Sequence, residues 1–278
     1  MSRQVWCNGE LMTEDQLRIS PFDRGLTVGL GLFETILAVD GGPVFLDRHL
    51  ARHAAGCARL GWECPAQEEI GAAIAAVLAG NGCSSGRARV RVFQTGGEGG
   101  LDDCSAGSSR KLLVTAAPLG ESAETVSVTF SKWPRNERSA LAGLKCASYA
   151  ENLIALADAR RQGYDETYFL NTRGDVCEAA TANLFVVKGG RILTPPLSSG
   201  CLPGITRSWL LESAAAIGLS ITEDRVTRND LLEADEVFLT SATRGPVSVS
   251  RLDGREYAAP ILSPRCRTVW EQASQSPR

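Results

Sequence analysis

Four groups of residues in this 278-residue chain have the types and settings needed for chemistry. The first is Lys145, within Leu141–Leu156, reading LAGLKCASYAENLIAL. The chain has four lysines: Lys111 and Lys188 sit at strand edges next to polar or Gly-rich turns, Lys132 lies in a loop before Trp-Pro, and Lys145 is set among Leu141, Ala142, Gly143, Leu144, Cys146 and Ala147. Removing hydration from a lysine favours its neutral amine, the form that attacks a carbonyl carbon. The second is Glu178, a carboxylate in the small-residue run Val176-Cys177-Glu178-Ala179-Ala180. The third is Gly204-Ile205-Thr206, which opens a helix whose first N–H groups and Thr hydroxyl suit a phosphate. The fourth is Arg52, a permanently charged donor fork of the kind that binds phosphate.

Amine, carboxylate and phosphate cradle together are the requirements of pyridoxal 5'-phosphate (PLP). A lysine holds the cofactor as a Schiff base, and a carboxylate keeps its pyridine nitrogen protonated, so that the ring accepts electrons from the substrate carbon. Each group also has a structural reading. The Lys145 stem can pack while its head reaches water. Glu178 can be a solvated strand end, Arg52 a surface helix residue, and Leu202–Arg207 a simple helix start.

Other chemistries find less support. The formal charge of −3 gives no basic footprint for nucleic acid, and no apolar run approaches the roughly 18–20 residues of a membrane span. The first residues, MSRQVWCNGE, lack the apolar core of a signal peptide. The nine cysteines are scattered and never in CxxC spacing, which suggests reduced thiols in a cytoplasm rather than a disulfide framework. With two histidines, His49 and His53, no metal site is expected. There is no GxxxxGK[ST] loop. Gly96–Gly100 follows a strand without the helix and acidic partner of a dinucleotide fingerprint. Neither histidine sits beside a nucleophile elbow.

The elements that must position these groups follow from pattern. Val5–Leu11 reads as a hairpin about Asn8-Gly9. Leu17–Ile19 reads as a short extended piece, and Gly29–Thr35 runs into the β-rich Ile36–Val39, which Asp40-Gly41-Gly42 turns and Pro43–Leu46 returns. Asp47 is expected to cap a helix over Arg48–Leu60, stopped by Gly61, with Leu46, Leu50, Ala54, Cys57 and Leu60 as its buried stripe and with His49 and Arg52 off its centre. Ala66–Leu78 is a second helix; Arg87–Thr95 and Lys111–Ala117 are strands. Thr125–Phe130, Glu166–Leu170, Val176–Glu178, Asn183–Val187, Leu219–Val226 and Asp235–Thr240 read as further strands. Tyr149–Arg161 reads as a helix, Val247–Tyr257 as a hairpin about Asp253-Gly254, and the residues from about Ser274 as frayed. Helices among antiparallel strands predict an α+β chain: an N-terminal domain over residues 1–118, a connector over 119–124, and a C-terminal domain over 125–278 carrying Lys145.

Taken in order, the motifs resemble the class IV aminotransferases, PLP enzymes of fold type IV. They are Asp23-Arg24-Gly25, Gly29-x-Gly31-x-Phe33-Glu34-Thr35, His49-x-x-Arg52, Lys145 followed by Tyr149 and Asn152, Gly163-Tyr164-Asp165-Glu166, Glu178 followed by Asn183-Leu184-Phe185, Leu193-Thr194-Pro195-Pro196, and Leu202–Arg207. The resemblance implies two α+β domains, as in D-amino acid aminotransferase, with the cofactor between them, and a homodimer whose site borrows partner residues. It implies Lys145 as the Schiff-base lysine and proton carrier, and Glu178 as the partner of the pyridine nitrogen. Arg52, Ile205, Thr206, Ser241 and Ala242 would hold the phosphate, and Tyr149 would lie near the phenolic oxygen. Phe33 would line the substrate pocket.

Three activities share the scaffold: branched-chain aminotransferase, D-amino acid aminotransferase, and 4-amino-4-deoxychorismate lyase, which releases pyruvate to form 4-aminobenzoate. The Asp-Arg-Gly opening, Phe33-Glu34-Thr35 and the turn Thr240–Gly245 are more similar to the lyase, in which Thr35 would assist protonation of the departing pyruvyl fragment. An aminotransferase acting on branched-chain or D-amino acids is the alternative, and a PLP-binding protein without turnover is a more distant one. The chain departs from the family pattern at Leu30, where an acidic residue is usual, and at Gly96-Gly97, where Arg-Gly is usual. The substrate carboxylate then falls to Arg91, Arg89 or Arg244.

Overall fold

The computed structural model describes residues 2–275. They form two compact units, one of residues 2–121 with Leu144–Tyr149 and residues 274–275, the other of Ser122–Gly143 with Ala150–Ala273. Both mix helices and sheet, so the α+β fold class holds.

The first unit contains β1 (Gln4–Cys7), β2 (Glu10–Thr13), the short α1 (Arg24–Thr27), β3 (Gly31–Val39), β4 (Gly42–Pro43), α2 (Leu46–Leu60), α3 (Gln67–Gly80), β5 (Arg87–Thr95) and β6 (Leu112–Pro118). Its sheet runs β2-β1-β6-β5-β3-β4, antiparallel throughout. The β1–β2 hairpin turns at Asn8 and Gly9, both with positive φ, as an Asn-Gly hairpin requires. Alternation in β3 and β5 sends Ile36, Ala38, Val90 and Val92 into a core with Ile70, Ile74 and Val77 of α3. Phe33, Thr35, Arg89 and Arg91 occupy the alternate positions, on the opposite face.

Two local expectations about α2 are corrected. Phe45, in the left-handed conformation at φ 52°, precedes the helix, and Asp47 lies inside its first turn rather than capping it. Gly61 does end the helix, at φ 67°. The buried side of α2 is His49, Leu50, His53, Gly56 and Cys57. It is rotated from the expected apolar stripe because β3 and β5 each supply a buried polar partner for a histidine, described below. Leu17–Ile19 forms no strand.

The second unit contains β7 (Thr125–Phe130), α4 (Ala150–Arg161), β8 (Glu166–Leu170), β9 (Val176–Ala179), β10 (Asn183–Lys188), β11 (Arg191–Thr194), a 3₁₀ turn (Leu197–Ser199), α5 (Ile205–Ser213), β12 (Ile221–Glu223), α6 (Arg228–Glu233), β13 (Glu236–Ser241), β14 (Gly245–Leu252), β15 (Arg255–Glu256) and α7 (Leu262–Gln275). Its sheet order is β12-β11-β10-β13-β14-β7-β8-β9, with β15 pairing β14. Strands β14, β7 and β8 run parallel and the centre is antiparallel. Strands β10 and β13 are apolar on both faces and buried on both; Phe185 and Phe238 stack as a cross-strand pair, 4.9 Å between centroids. Helix α7, which the sequence reading omitted, is continuous through Gln275, so the fraying expected from Ser274 does not begin there, and residues 276–278 lie outside the described part.

Lys145 groups with the first unit, not with the second half as expected. The cause is backbone pairing: Phe33 N–H donates to Lys145 C=O at 3.0 Å, Ala147 N–H donates to Gly31 C=O at 2.8 Å, and Leu32 bridges Cys146.

Gly245 begins β14 at φ +66°, and a Cβ there would stand 2.4 Å from the buried Trp270 ring of α7. Gly245→Ala is therefore expected to lower the unfolding free energy by about 2–4 kcal/mol, as read from urea denaturation.

Candidate active site

In the first unit, the chemistry gathers around Phe33. The Lys145 Nζ lies 4.5 Å from the centroid of its ring, and the Arg91 guanidinium 4.0 Å from it. Tyr149 meets the same ring edge-to-face at 5.6 Å. Phe33 is 3% exposed, so the amine and the guanidinium share a buried aromatic contact. Thr35, two residues along β3, is the cross-strand partner of Arg91 and lies on the Phe33 face; Arg89 is one pleat further and pairs with Leu37. The structure thus brings together Lys145, Tyr149, Phe33, Arg91 and Thr35, with Arg89 at the margin.

On the other face of β3, Glu34 makes a cluster not foreseen as such. Arg52 Nε donates to Glu34 Oε1 at 2.8 Å and Arg52 Nη2 to Oε2 at 2.6 Å, while His49 Nδ1 contacts Oε2 at 2.7 Å. Spacing i, i+3 puts His49 and Arg52 on one side of α2. Burial pushes the Glu34 carboxyl up, but the charge and hydrogen bonds of Arg52, with those of His49, outweigh it and hold the group at about 2. Burial pushes His49 down, against the pull of Glu34 and with the help of Arg52 and Lys145, so the ring stays neutral and its Nδ1–H donates. His53 is likewise pushed down by burial and contacts Gln94 Oε1 at 2.8 Å. Arg52 is thus not a loose surface residue; its fork is locked in place by a carboxylate.

A second missed residue is Arg24, 1% exposed. Its guanidinium donates to the carbonyls of Gly96, Gly97, Gly100, Asp103 and Ser105. The loop after β5 is wound around this one side chain, which explains Gly96-Gly97: a Cβ on Gly97 would come 2.4 Å from the Ser108 carbonyl. The Asp-Arg-Gly motif was the available signal.

In the second unit, Glu178 stands in β9, and its Oε2 accepts from Leu202 N–H at 2.9 Å. Leu202 C=O accepts from the Asn183 amide at 2.8 Å, and two residues later Gly204 is the N-cap of α5. No side chain caps this helix. A Cβ on Gly204 would come 1.9 Å from Asn183 Oδ1, so the backbone can take this course only with glycine. Thr206 Oγ1 donates to Ser241 C=O at 3.1 Å, which joins Ile205 and Thr206 to the Ser241-Ala242 turn after β13. Arg244 is held by Ser241 Oγ (3.2 Å), Thr181 Oγ1 (2.8 Å) and the buried Glu166 (3.4 Å). A buried carboxylate already competes for its charge, so Arg244 is the weaker of the carboxylate-binding candidates.

Each unit holds groups whose chemistry suits PLP: in the second, a carboxylate tied to the start of a nine-residue helix that lacks a side-chain cap; in the first, a lysine amine against an aromatic ring. Among the described residues no group of three His, Cys, Asp or Glu is arranged to hold a metal ion, and no helix is long and apolar enough to cross a membrane. The nine cysteines are unpaired.

Glu34→Gln leaves Arg52 without its anion and is expected to cost about 3 kcal/mol. The sign of the pH effect follows from linkage. Between the folded pKa of His49 and its ordinary 6.5, the unfolded chain binds a proton that the folded chain does not, so wild-type stability falls as pH drops below about 6.5. The Glu34 contribution is complete above 4.5 and fades only as pH falls towards 2. Thermal melts from about pH 8 to pH 4 should therefore show a decline that His49→Gln makes shallower.

Comparison with known proteins agrees with the geometry. The family model Amino-transferase class IV matches residues 31–252. The chain is 29% identical over 286 residues to a branched-chain-amino-acid aminotransferase of Escherichia coli, covering 98% of this chain and 91% of that protein. It is 29% identical over 274 residues to an aminodeoxychorismate lyase of Bacillus subtilis, covering 92% and 88%. Among solved structures, a branched-chain aminotransferase of Thermoproteus uzoniensis with norvaline superposes with a TM-score of 0.91 at 26% identity, covering 98% of this chain and 94% of that one.

Proposed function

The chain belongs to the amino-transferase class IV family, and from that premise we propose that it is a 4-amino-4-deoxychorismate lyase, forming 4-aminobenzoate and pyruvate. The family's enzymes are PLP-dependent, so the chain is an enzyme and PLP is its cofactor. When bound, PLP supplies an electron sink for the bond that breaks at the substrate carbon.

The residues divide the work as follows. Lys145 holds the cofactor and carries the proton at the substrate α carbon, and Phe33 sets the position of its amine. Glu178 keeps the pyridine nitrogen charged. Arg52, fixed by Glu34, joins Ile205, Thr206, Ser241 and Ala242 as the phosphate ligands, with Tyr149 near the phenolic oxygen. Arg91 binds a substrate carboxylate, since it shares the Phe33 ring with the Lys145 amine. Arg89 adds positive charge further along the sheet. The observation that supports the lyase is Thr35, whose β3 position faces Arg91 in register on the Phe33 side of the sheet. A hydroxyl there can give a proton to the pyruvyl fragment as it leaves.

Aminotransferase activity towards branched-chain amino acids is the second reading, favoured by relatives bearing that name. A cytoplasmic homodimer is part of the proposal, and sedimentation velocity checks the dimer.

The deciding experiment supplies aminodeoxychorismate to the purified holoenzyme without any oxo acid and follows pyruvate. Stoichiometric pyruvate and 4-aminobenzoate are expected. Amino transfer from leucine to 2-oxoglutarate with no pyruvate release would transfer the assignment to the second reading. Thr35→Val is expected to lower the lyase kcat roughly 100-fold. Arg91→Gln should raise KM about 10- to 100-fold, the loss of one charge-assisted pair.

A further inference from the structure

Arg135 lies in the loop after β7, where its backbone N–H donates to Leu170 C=O at 2.8 Å. Its guanidinium stacks on the Phe169 ring, 4.2 Å from the centroid, and Nη1 pairs with Glu151 of α4. Its Nη2 stands 3.8 Å from Glu178 Oε1. Both Nε and Nη2 are buried and make no hydrogen bond. A buried guanidinium with unsatisfied N–H groups is costly. The arrangement persists because Phe169 below and two carboxylates at the edge surround the charge.

We propose that Arg135 is a positioning residue for the cofactor carboxylate: from its seat on Phe169 it holds Glu178 charged, while Leu202 N–H fixes the direction of the other oxygen. The inference rests on the assignment of Glu178 to the pyridine nitrogen. That nitrogen stays protonated only if its partner is an anion, and a protonated Glu178 would offer a neutral hydrogen bond instead. Opposite charge within about 4–6 Å lowers a carboxyl group's affinity for protons. Two further titratable groups, Cys177 and Cys201, feel the Glu178 charge. Burial, helped by Glu178 itself, pushes both thiols up, Cys201 to about 11, so they add no charge at neutral pH. Glu151 is the competing anion: it draws on the same guanidinium from a half-exposed position.

The test is a pH titration of the visible absorption of the bound cofactor in the holoenzyme, which reads the protonation around the ring without turnover. Arg135→Met should move the acid transition upward by one pH unit or more and weaken the affinity for added PLP by at least tenfold. Arg135→Lys, which keeps the charge, should restore most of the shift; a packing role alone would not be rescued this way. If Arg135→Met does not accumulate folded, Glu151→Gln decides, because releasing the competing anion should move the transition downward. An unmoved transition in the folded Arg135→Met protein, or in Glu151→Gln where that variant decides, overturns the inference, provided that Glu178→Gln does alter the spectrum. If Glu178→Gln leaves the spectrum and PLP affinity unchanged, the assignment of Glu178 itself fails, and this inference with it.

Discussion

Two backbone hydrogen bonds hold Lys145 in place. Phe33 N–H and Ala147 N–H tie Leu144–Tyr149 to the start of β3, so Lys145 takes its position from a sheet rather than from a flexible loop. That one attachment fixes the rest of the cluster. It puts the Lys145 amine against Phe33, and β3 to β5 pairing then sets Arg91 on the same ring and Thr35 opposite Arg91. Sites supported by strands hold tighter geometry than sites on loops.

The same strand works on both faces. Phe33 and Thr35 point to the lysine side, and Glu34 between them turns to α2, where it fixes Arg52 and His49. A buried carboxylate with three nitrogen partners costs desolvation, and the ion pair with a bidentate arginine offsets it. Its return is a fixed orientation for Arg52. The second unit follows a similar logic: Glu178 is bonded to the backbone that starts α5, so carboxylate and helix terminus are coupled through Leu202 and Gly204.

Much of this was legible in the sequence, and the limits have physical causes. Strand β5 shows alternation over nine residues and matches its expected bounds, and Asn8-Gly9 marks the β1–β2 turn, although that hairpin runs over Gln4–Thr13 rather than Val5–Leu11. The start of α2 was misplaced because Asp47 has a good capping side chain, whereas the residue that precedes the helix is Phe45 in a conformation no local preference announces. Helix α7 carries a weak signal: its buried face is narrow, made of Ser263, Cys266 and Trp270, and Pro264 sits in its first turn, where proline is tolerated. Lys145, Glu178 and the Gly-Ile-Thr turn stand out as candidates in the sequence because each has a local signature. Glu34 and Arg135 were not assigned roles, since their partners are 15 to 43 residues away in the chain and are met only on folding.

The central claim is that Lys145 is the lysine that carries the cofactor. Borohydride reduction of the holoenzyme fixes PLP covalently to its lysine, and peptide mass spectrometry then locates it. The account predicts the phosphopyridoxyl mass on the peptide containing Lys145 and on no other. Modification at Lys111, Lys132 or Lys188 instead, or stoichiometric PLP binding with no lysine labelled, would contradict it.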